Sequence, residues 1–491
     1  MRILRFSATL LTILAVISPV LTAGGFENSG IGTKARGMAG AFRAVADDWT
    51  AAYYNPAGYA YIYDNQLGGS LGMVHLRDEL TPDYRYGGEY ETGIFNDRIN
   101  YNNHQVLSNP SGGFLARLPI WGETVVGLSG FQPFDYNNTW ELYELPAAYN
   151  DSLSLPGNQY SNNLDVTAIQ LTFGREFIED KLALGLGLQL LRADLLYSDI
   201  VFRNNPYPAP LNDRPYDRIT EWAQMDGYGF GFGLNFGMLL NLSEKFSVGL
   251  TASVPFDITV DGTAKLEFYM PRNETLAFST DSSVISNPGT AENLFVAGAK
   301  IVDTADFETE LNLPPQFGLG LSFAIIEDLT VAFDASYTLW SQYEGMAFTY
   351  TEHRGLTGAA DSDSLVNAFF TTDLTSPADW DNTMSVALGL SYNLKDRFTF
   401  MVGGGYDQSP SEESAEFVPQ LVDPGDKTTI AGGFIAHIDR WDLGISTSYT
   451  SAPDLTVTDL VDTDNDGQFD SFPGLYKAET YETVLSINYR F

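Results

Sequence analysis

Alternation of apolar and polar residues with a period of two runs through most of this chain. The same alternation appears over 182–190, 331–340 and 441–450, and it is clearest at the C-terminal end. The apolar set at that end consists of Tyr481, Thr483, Leu485, Ile487, Tyr489 and Phe491. Successive side chains of a β-strand point to opposite faces. The pattern therefore predicts strands with one apolar face toward lipid and one more polar face toward a lumen.

Fourteen such strands are predicted, and the lengths of their connections alternate. The predicted strands span 67–77, 110–120, 123–132, 164–176, 181–192, 226–240, 245–258, 310–325, 328–345, 383–393, 397–409, 428–437, 440–451 and 479–491. Every second connection is very short, such as 326–327 and 438–439, whereas 78–109, 133–163, 259–309 and 346–382 are long. Short turns on one side and long loops on the other are typical of an antiparallel outer-membrane β-barrel.

The N-terminus predicts export. Arg2 and Arg5 precede the apolar stretch 8–21, and a small residue, Ala23, follows, which is the pattern of a signal peptide over residues 1–23. Beyond it, no stretch has the 18 or so apolar residues that a transmembrane helix needs. A membrane protein without such a helix must close its strands into a barrel, because closure pairs every backbone group in lipid. The expected location is the outer membrane of a Gram-negative type of cell.

Composition narrows the classes of function. Aromatic residues make up 13% of the chain, which suits strands with aromatic rings at the membrane boundary. The formal net charge of −37 argues against binding to nucleic acid, whose phosphates would be repelled, and solvated acidic loops explain it best. There is no Cys, which excludes disulfides, thiolate metal sites and a Cys nucleophile.

Residues 24–66 lack the alternation and form a separate unit between the signal peptide (1–23) and the barrel (67–491). The spacing of Phe42, Val45 and Trp49 predicts a short helix over 35–49. The segment is less charged and more aromatic than a flexible tail would be. A barrel of fourteen strands is too wide to be filled by its own side chains. We therefore expect residues 24–66 to form a hatch, or plug, inside the lumen.

The residues of this segment resemble the N-terminal hatch of the FadL-type outer-membrane transporters of long-chain fatty acids. The resemblance rests on a small-residue stretch over 37–41, on Asp47 and Asp48, and on Asn55, Pro56 and Ala57. Further matches follow in the family's order, at 311–315, 339–343, 379–383 and 406–410. The resemblance implies a fourteen-stranded barrel with a hatch. It also implies uptake of a hydrophobic small molecule by capture in the outer loops, hatch movement and lateral exit through the wall.

The third predicted strand contains the candidate lateral gate, Gly130 and Pro133. Pro lacks a backbone donor and removes one ladder hydrogen bond, while Gly has no side chain to stiffen a bend. Two interpretations remain open from the residues alone. Pro133 either ends the strand at the outer rim, or the strand bends inward there and opens an exit, as the resemblance implies.

Candidate chemistry is sparse. The four His residues have no metal-ligand spacing, and no local nucleophile motif is present, so we do not expect an enzyme or a required cofactor. One string before the last strand matches the first half of a calcium loop, with Asp462, Asp464, Asp466 and Asp470 around Gly467. Its twelfth position is Pro473 instead of the bidentate Glu. Both an acidic surface turn and a calcium site remain open.

The sequence thus predicts an outer-membrane channel for long-chain fatty acids or other hydrophobic compounds. The alternative is a hatch-bearing barrel that acts as a binding or shuttle component of a protein secretion system. A general diffusion porin is a third interpretation, disfavoured because residues 24–66 would block free flow. The expected partners are the hydrophobic cargo, outer-membrane lipid and lipopolysaccharide, and the barrel assembly machinery, for which a C-terminal Phe is a typical signal. We expect a monomer.

Overall fold

The structure is a computed structural model of the chain. It describes residues 25–83, 93–102, 106–119, 123–146, 149, 151–205, 218–272, 298–356, 364–378, 380–411, 425–458, 460 and 471–491. The predicted signal peptide lies outside the described residues. Among those residues, no helix combines the length and the apolar composition needed to cross a bilayer.

Most of the described chain consists of antiparallel strands. In chain order they are β1 (Gln66–Pro82), β2 (Asn100–Tyr101), β3 (Val106–Leu118), β4 (Thr124–Trp140), β5 (Tyr160–Ile178), β6 (Leu182–Asn204), β7 (Arg218–Ser243), β8 (Phe246–Pro255), β9 (Ile258–Tyr269), β10 (Lys300–Leu311), β11 (Gln316–Ile326), β12 (Leu329–Thr338), β13 (Gly345–Thr351), β14 (Leu374–Pro377), β15 (Thr383–Leu394), β16 (Phe398–Asp407), β17 (Lys427–Ile438), β18 (Trp441–Ser451), β19 (Leu455–Val457) and β20 (Gly474–Arg490).

Fourteen of these strands form a closed antiparallel ring in the described part of the chain, which confirms the predicted all-β barrel and its strand number. Neighbours along the chain pair with one another, and β1 closes the ring by pairing with both β3 and β20. The closing ladder runs without a shift from Gln66 opposite Arg490 to Pro82 opposite Gly474. The wall strands are β1, β3 to β8, β11, β12, β15 to β18 and β20.

The predicted alternation of faces is confirmed on the last strand. Tyr481, Leu485 and Ile487 are exposed on the outer face, whereas Glu482 and Val484 between them are buried. An apolar outer face is stable only against lipid, because large exposed apolar surfaces are costly in water. The wall therefore presents its apolar row outward and its more polar row inward.

Several strands extend beyond their predicted ends into the long connections 133–163, 193–225 and 259–309. β4 continues to Trp140, β6 and β7 have 23 and 26 residues, and β9 and β10 form a hairpin that pairs with the outer part of β7. At about 3.3 Å per residue, β6 extends over roughly 75 Å, far more than the hydrocarbon layer. The long connections predicted over 133–163 and 259–309 therefore contain strand residues, because the sheet continues outward beyond the predicted strand ends.

The helices are short. They are α1 (Thr33–Gly37), α2 (Ala51–Tyr54) and α3 (Ser364–Phe370), with 3₁₀ turns at Pro56–Tyr61 and Trp340–Gln342. The predicted single helix over 35–49 was wrong. Ala39 and Gly40 have φ angles of 54° and 89°, a left-handed conformation that ends α1. The spacing of Phe42, Val45 and Trp49 instead reflects burial of a turn-rich segment.

Candidate functional site

The N-terminal segment (residues 25–62) contacts inward-facing positions on strands around the ring. These positions are glycines, and a Cβ atom built on each would come within 3.0 Å of the N-terminal segment. At Gly185 that atom would lie 2.2 Å from Ala57 N, and at Gly389 it would lie 2.6 Å from Met38 Cβ. The full set is Gly68, Gly113, Gly127, Gly174, Gly185, Gly237, Gly249, Gly318, Gly320, Gly389, Gly403 and Gly444. Only Gly allows the two backbones to approach so closely.

Asn55, Pro56 and Ala57 join the N-terminal segment to the wall. The Asn55 side chain is buried, donates hydrogen bonds to Arg43 O at 2.8 Å and to Met238 O of β7 at 3.1 Å, and accepts one from Ala57 N at 3.1 Å. Pro56 is the first residue of the 3₁₀ turn, where its missing N–H costs nothing. The Asn55 amide thus uses both its NH₂ group and its oxygen to link two turns of the N-terminal segment to one wall strand.

Asp47 and Asp48 form contacts within the N-terminal segment. Asp47 pairs with Lys34. Asp48 accepts hydrogen bonds from Thr50 N at 2.8 Å and from Thr50 Oγ1 at 2.5 Å. Burial, and next the neighbouring Asp47, raise the pKa of Asp48 to about 6. These two carboxylates hold a turn together.

Two ion pairs connect the N-terminal segment to two separate strands of the ring. Arg36 pairs with Glu482 of β20, with its Nε 2.9 Å from the carboxylate, and also donates to Ser448 Oγ at 3.3 Å. Arg43 lies 3.4 Å from Asp334 of β12, which also accepts the backbone N–H of Arg43 at 2.9 Å. Removing one partner of a buried pair leaves an uncompensated charge, which costs about 3–5 kcal/mol.

A cavity of about 310 Å³ lies between the N-terminal segment and the wall. The Glu27 carboxylate lines it and accepts hydrogen bonds from Gln316 Nε2 at 2.9 and 3.0 Å and from Thr338 Oγ1 at 3.0 Å. Burial, and next the charge of Asp407, raise the pKa of Glu27 to about 7. The volume is at the lower end of the range for small-molecule pockets.

The wall has an unpaired stretch beside this cavity. Within the described residues, the β3–β4 ladder begins at Leu118 opposite Thr124 and ends at Gly112 opposite Gly130. Beyond it, residues 106–111 of β3 pair with β1 only, and residues 131–140 of β4 pair with β5. The cavity lining reaches this gap, and Val74, Leu76, Leu107, Phe131, Pro133 and Phe134 belong to it.

Residues 26–28 cover the inner side of the gap. Glu27 forms an antiparallel bridge with Phe134, in which Asn28 N donates to Pro133 O and Asp135 N donates to Phe26 O, both at 3.0 Å. Phe26 is buried in a cage of aromatic rings, with ring centroids 5.1–5.7 Å from its own. The cage consists of Tyr136, Trp340, Tyr343 and Trp380.

The two predicted gate residues occupy different positions. Pro133 lies inside β4, at a register shift between Phe131 and Phe134, so the strand continues past it for seven residues. Gly130 is the last residue paired with β3, and a Cβ built there would meet only Ala168 O, at 4.0 Å. Its neighbours Ser129 and Phe131 are buried, so position 130 faces outward.

The predicted calcium ligands Asp462, Asp464, Asp466 and Asp470 lie outside the described residues. Across the ranges that are described, no group of three or more His, Asp or Glu side chains is arranged to hold a metal ion. The sequence analysis did not identify Glu27, Arg36, Arg43 or the inward-facing glycines. For the inward-facing glycines, the signal available in the sequence was a Gly at an inward position of an alternating strand.

Comparison with known proteins gives a family match and several related folds. A family model described as outer membrane protein transport protein (OMPP1/FadL/TodX) matches residues 14–491. Outer membrane protein P1 of Haemophilus influenzae is 22% identical over 424 residues, covering 79% of this chain and 82% of that protein. A long-chain fatty acid transport protein of Escherichia coli is 24% identical over 250 residues, covering 51% of this chain and 46% of that protein.

Two solved structures have the same fold. A Pseudomonas aeruginosa FadL homologue superposes with a TM-score of 0.69 at 17% sequence identity, covering 95% of this chain and all of that one. The Pseudomonas putida toluene transporter TodX superposes with a TM-score of 0.66 at 14% identity, covering 94% of this chain and 99% of that one. At these identities the likeness concerns the fold.

Proposed function

Because the chain belongs to the outer membrane protein transport protein family (OMPP1/FadL/TodX), we propose that it takes up hydrophobic compounds through a lateral exit between β3 and β4. The family consists of outer-membrane transport proteins and not of enzymes. Long-chain fatty acids and monoaromatic hydrocarbons are the two cargo classes named for its relatives. The cargo enters from the outer loops, occupies the cavity and leaves sideways.

The observation that carries this proposal is the unpaired stretch of wall next to the cavity. A barrel in lipid pairs its backbone groups, since each unpaired group costs several kcal/mol in hydrocarbon. The β3–β4 ladder nevertheless ends at Gly112 opposite Gly130, and an apolar part of the cavity lining faces the gap. A hydrophobic cargo can pass there into the outer leaflet without crossing the periplasm.

In this proposal the N-terminal segment is a hatch, and its residues 26–28 form the movable part. Their bridge to β4 covers the gap, and releasing it requires two backbone hydrogen bonds to break and Phe26 to leave its cage. The rest of the hatch stays in place and prevents free diffusion of polar solutes. Gly130 and Pro133 then act as the end of the paired wall and as the irregularity in β4 that keeps the gap open.

A disulfide across the bridge tests the exit. Glu27 and Phe134 are directly opposite in a pair without mutual hydrogen bonds, for which Cα atoms are about 4.5 Å apart, within disulfide range. The chain has no other Cys. Cells that carry oxidised Glu27→Cys/Phe134→Cys should take up a hydrophobic probe at about the rate of cells that lack the protein. Reduction of the disulfide should restore uptake.

The control is a disulfide on the other edge of β4. Thr139 and Ser161 are paired, with their hydroxyls 2.9 Å apart, and neither lines the cavity. Oxidised Thr139→Cys/Ser161→Cys and both single variants of the test pair should keep normal uptake. Unchanged uptake by the oxidised test variant, with the disulfide verified by mass spectrometry, would refute an exit at this gap.

A further inference from the structure

The charges that line the cavity are mostly negative. Among the described lining residues, the cations are Arg36, Arg43 and Lys427. The carboxylates are twice as many: Glu27, Asp78, Asp135, Asp334, Asp407 and Glu482. Even when Glu27 and Asp135 both hold a proton, four carboxylates face three cations. The formal net charge of the whole chain, −37, gives a field of the same sign.

The two arginines already have their ligands. Arg36 is bound by Glu482, Ser448 and the carbonyl of Ser29. Arg43 donates to Gln316 Oε1 at 2.6 Å and to Thr251 Oγ1 at 3.2 Å, in addition to its pair with Asp334. A carboxylate or sulfonate entering the cavity would have to displace a buried carboxylate from one of these arginines. Lys427 is the other cation of the described lining, and it shares that lining with Glu27, Asp78, Asp135 and Asp407.

Apolar residues of the lining adjoin the gap, and Asp78 and Asp135 follow them on β1 and β4. The apolar residues are Val74 and Leu76 of β1, Leu107 of β3, and Phe131 and Phe134 of β4. A cargo with an apolar body would therefore lie toward the gap, with any polar group toward Glu27 and Gln316. Carboxylate and amide oxygens on that side accept hydrogen bonds or attract a cation.

Resting on the transport function proposed above, we infer that the cargo of this chain is a hydrophobic compound without a negative charge. Uncharged and cationic compounds fit the lining, and the ionised form of a fatty acid does not. The acidic lining of the cavity is thus a filter for the charge of the cargo, separate from the gap that provides its exit.

Four compounds that share a ten-carbon chain but differ in the charge of the polar group test this inference. The mature protein in lipid nanodiscs binds the uncharged fluorescent probe N-phenyl-1-naphthylamine, and competitors displace it, with empty nanodiscs as the blank. The competitors are decan-1-ol, decyltrimethylammonium, decanoate and decane-1-sulfonate, the last being anionic at every pH used. We expect the inhibition constant of the sulfonate to exceed those of the alcohol and the ammonium compound by about tenfold or more, which corresponds to about 1.4 kcal/mol.

Variants that change the charge of the cavity separate binding to the protein from partition of the competitors into lipid, because that partition is the same for every variant. Glu27→Gln/Asp407→Asn should lower the inhibition constant of the sulfonate about threefold or more relative to that of decan-1-ol measured in the same variant. The matched control is Glu244→Gln/Asp396→Asn, which makes the same change of charge on exposed short turns outside the cavity.

The outcomes separate the two proposals. The charge preference is overturned if the sulfonate competes as well as decan-1-ol, or if its inhibition constant relative to that of decan-1-ol does not fall in Glu27→Gln/Asp407→Asn. Either result leaves the transport function in place. If the probe does not bind and no competitor acts, the transport function itself is contradicted, and the charge preference falls with it.

Discussion

The two parts of the N-terminal segment contact the barrel wall in different ways. Residues 30–62 are held by the Arg36–Glu482 and Arg43–Asp334 ion pairs, by the buried amide of Asn55 and by close contact with the inward-facing glycines. Residues 25–29 are held by two backbone hydrogen bonds to β4, by the hydrogen bonds of Glu27 and by the aromatic cage around Phe26.

The energies of these contacts decide which part can move. A backbone hydrogen bond contributes about 0.5–1.5 kcal/mol and the burial of one Phe about 1.5–3 kcal/mol. For residues 30–62 to leave, two ion pairs, the hydrogen bonds of the buried Asn55 amide and the close contacts at twelve inward-facing glycines would all have to break, which is a much larger set of contacts. This difference supports the proposed gate, in which residues 25–29 would detach while residues 30–62 keep their contacts with the wall.

Deleting residues 24–58 should give the largest effect. The strands close the ring by themselves, so the variant should still show the heat-modifiable mobility of a folded barrel. Without the segment, entry of small polar antibiotics should rise about a hundredfold, because a fourteen-stranded barrel encloses an open channel. The measurement is hydrolysis of a β-lactam by a periplasmic enzyme in intact cells. A folded deletion variant with unchanged permeability would refute the hatch.

A single glycine substitution should give a smaller leak. A Cβ on Gly237 would lie 2.2 Å from Asn55 Oδ1 and 2.8 Å from Ala57 N, so Gly237→Val should push the 55–57 turn away from β7. We expect entry of the same antibiotics to rise about tenfold. Gly432→Val is the matched control, because its nearest heavy atom would be Met401 O at 3.7 Å. Equal leak from both variants would mean that the close contact at Gly237 is not needed.

Most of the wall could be predicted from the sequence because its cause is local. Alternation with a period of two marks each of the fourteen strands, and the exposed Leu485 and Ile487 lie where the pattern places them. The outward extensions of β6 and β7 were missed because they are covered by other protein on both faces, which removes the alternation. Residues 201–203 of β6, for example, include an apolar pair and an Arg that is buried against Glu221.

The contacts of the candidate site depend on closure of the ring and could not be predicted locally. Arg36 and Glu482 are 446 positions apart and meet only because β20 completes the barrel beside the N-terminal segment. The gap could be predicted only in part. Pro133 marks an irregular strand, but the end of the β3–β4 ladder depends on how far β3 and β1 pair on the other edge.

The buried ion pair should contribute more to stability than an exposed pair on the same strand. Arg36→Met leaves Glu482 without its cation and should lower the free energy of unfolding in urea by about 3 kcal/mol. Arg77 of β1 lies 4.0 Å from Glu479, which is on β20 like Glu482, and both side chains of this pair are exposed. Arg77→Met should therefore change the free energy of unfolding by less than about 1 kcal/mol. Equal losses would contradict the ranking of the two parts of the N-terminal segment.

The smallest effect concerns the pH dependence of the bridge. The pKa of Glu27 is about 7 when residues 26–28 are docked, because of burial and then Asp407, with Arg43, Thr338 and Gln316 acting in the opposite direction. Detached from the wall, Glu27 would have its ordinary pKa of 4.5. The docked form therefore binds a proton more tightly, so docking is favoured at low pH and weakens as pH rises from about 4.5 through about 7.

Alkylation of a thiol beneath the bridge measures this change. Residue 134 lies opposite Glu27, so the thiol of Phe134→Cys should react only when residues 26–28 detach. Dividing its rate by that of Glu27→Gln/Phe134→Cys cancels the titration of the thiol itself. From about pH 6.3 to about pH 8 the ratio should rise about fivefold, or about 1 kcal/mol. A constant ratio would mean that Glu27 has the same proton affinity whether residues 26–28 are docked or detached. Its carboxylate would then not control how firmly these residues are held.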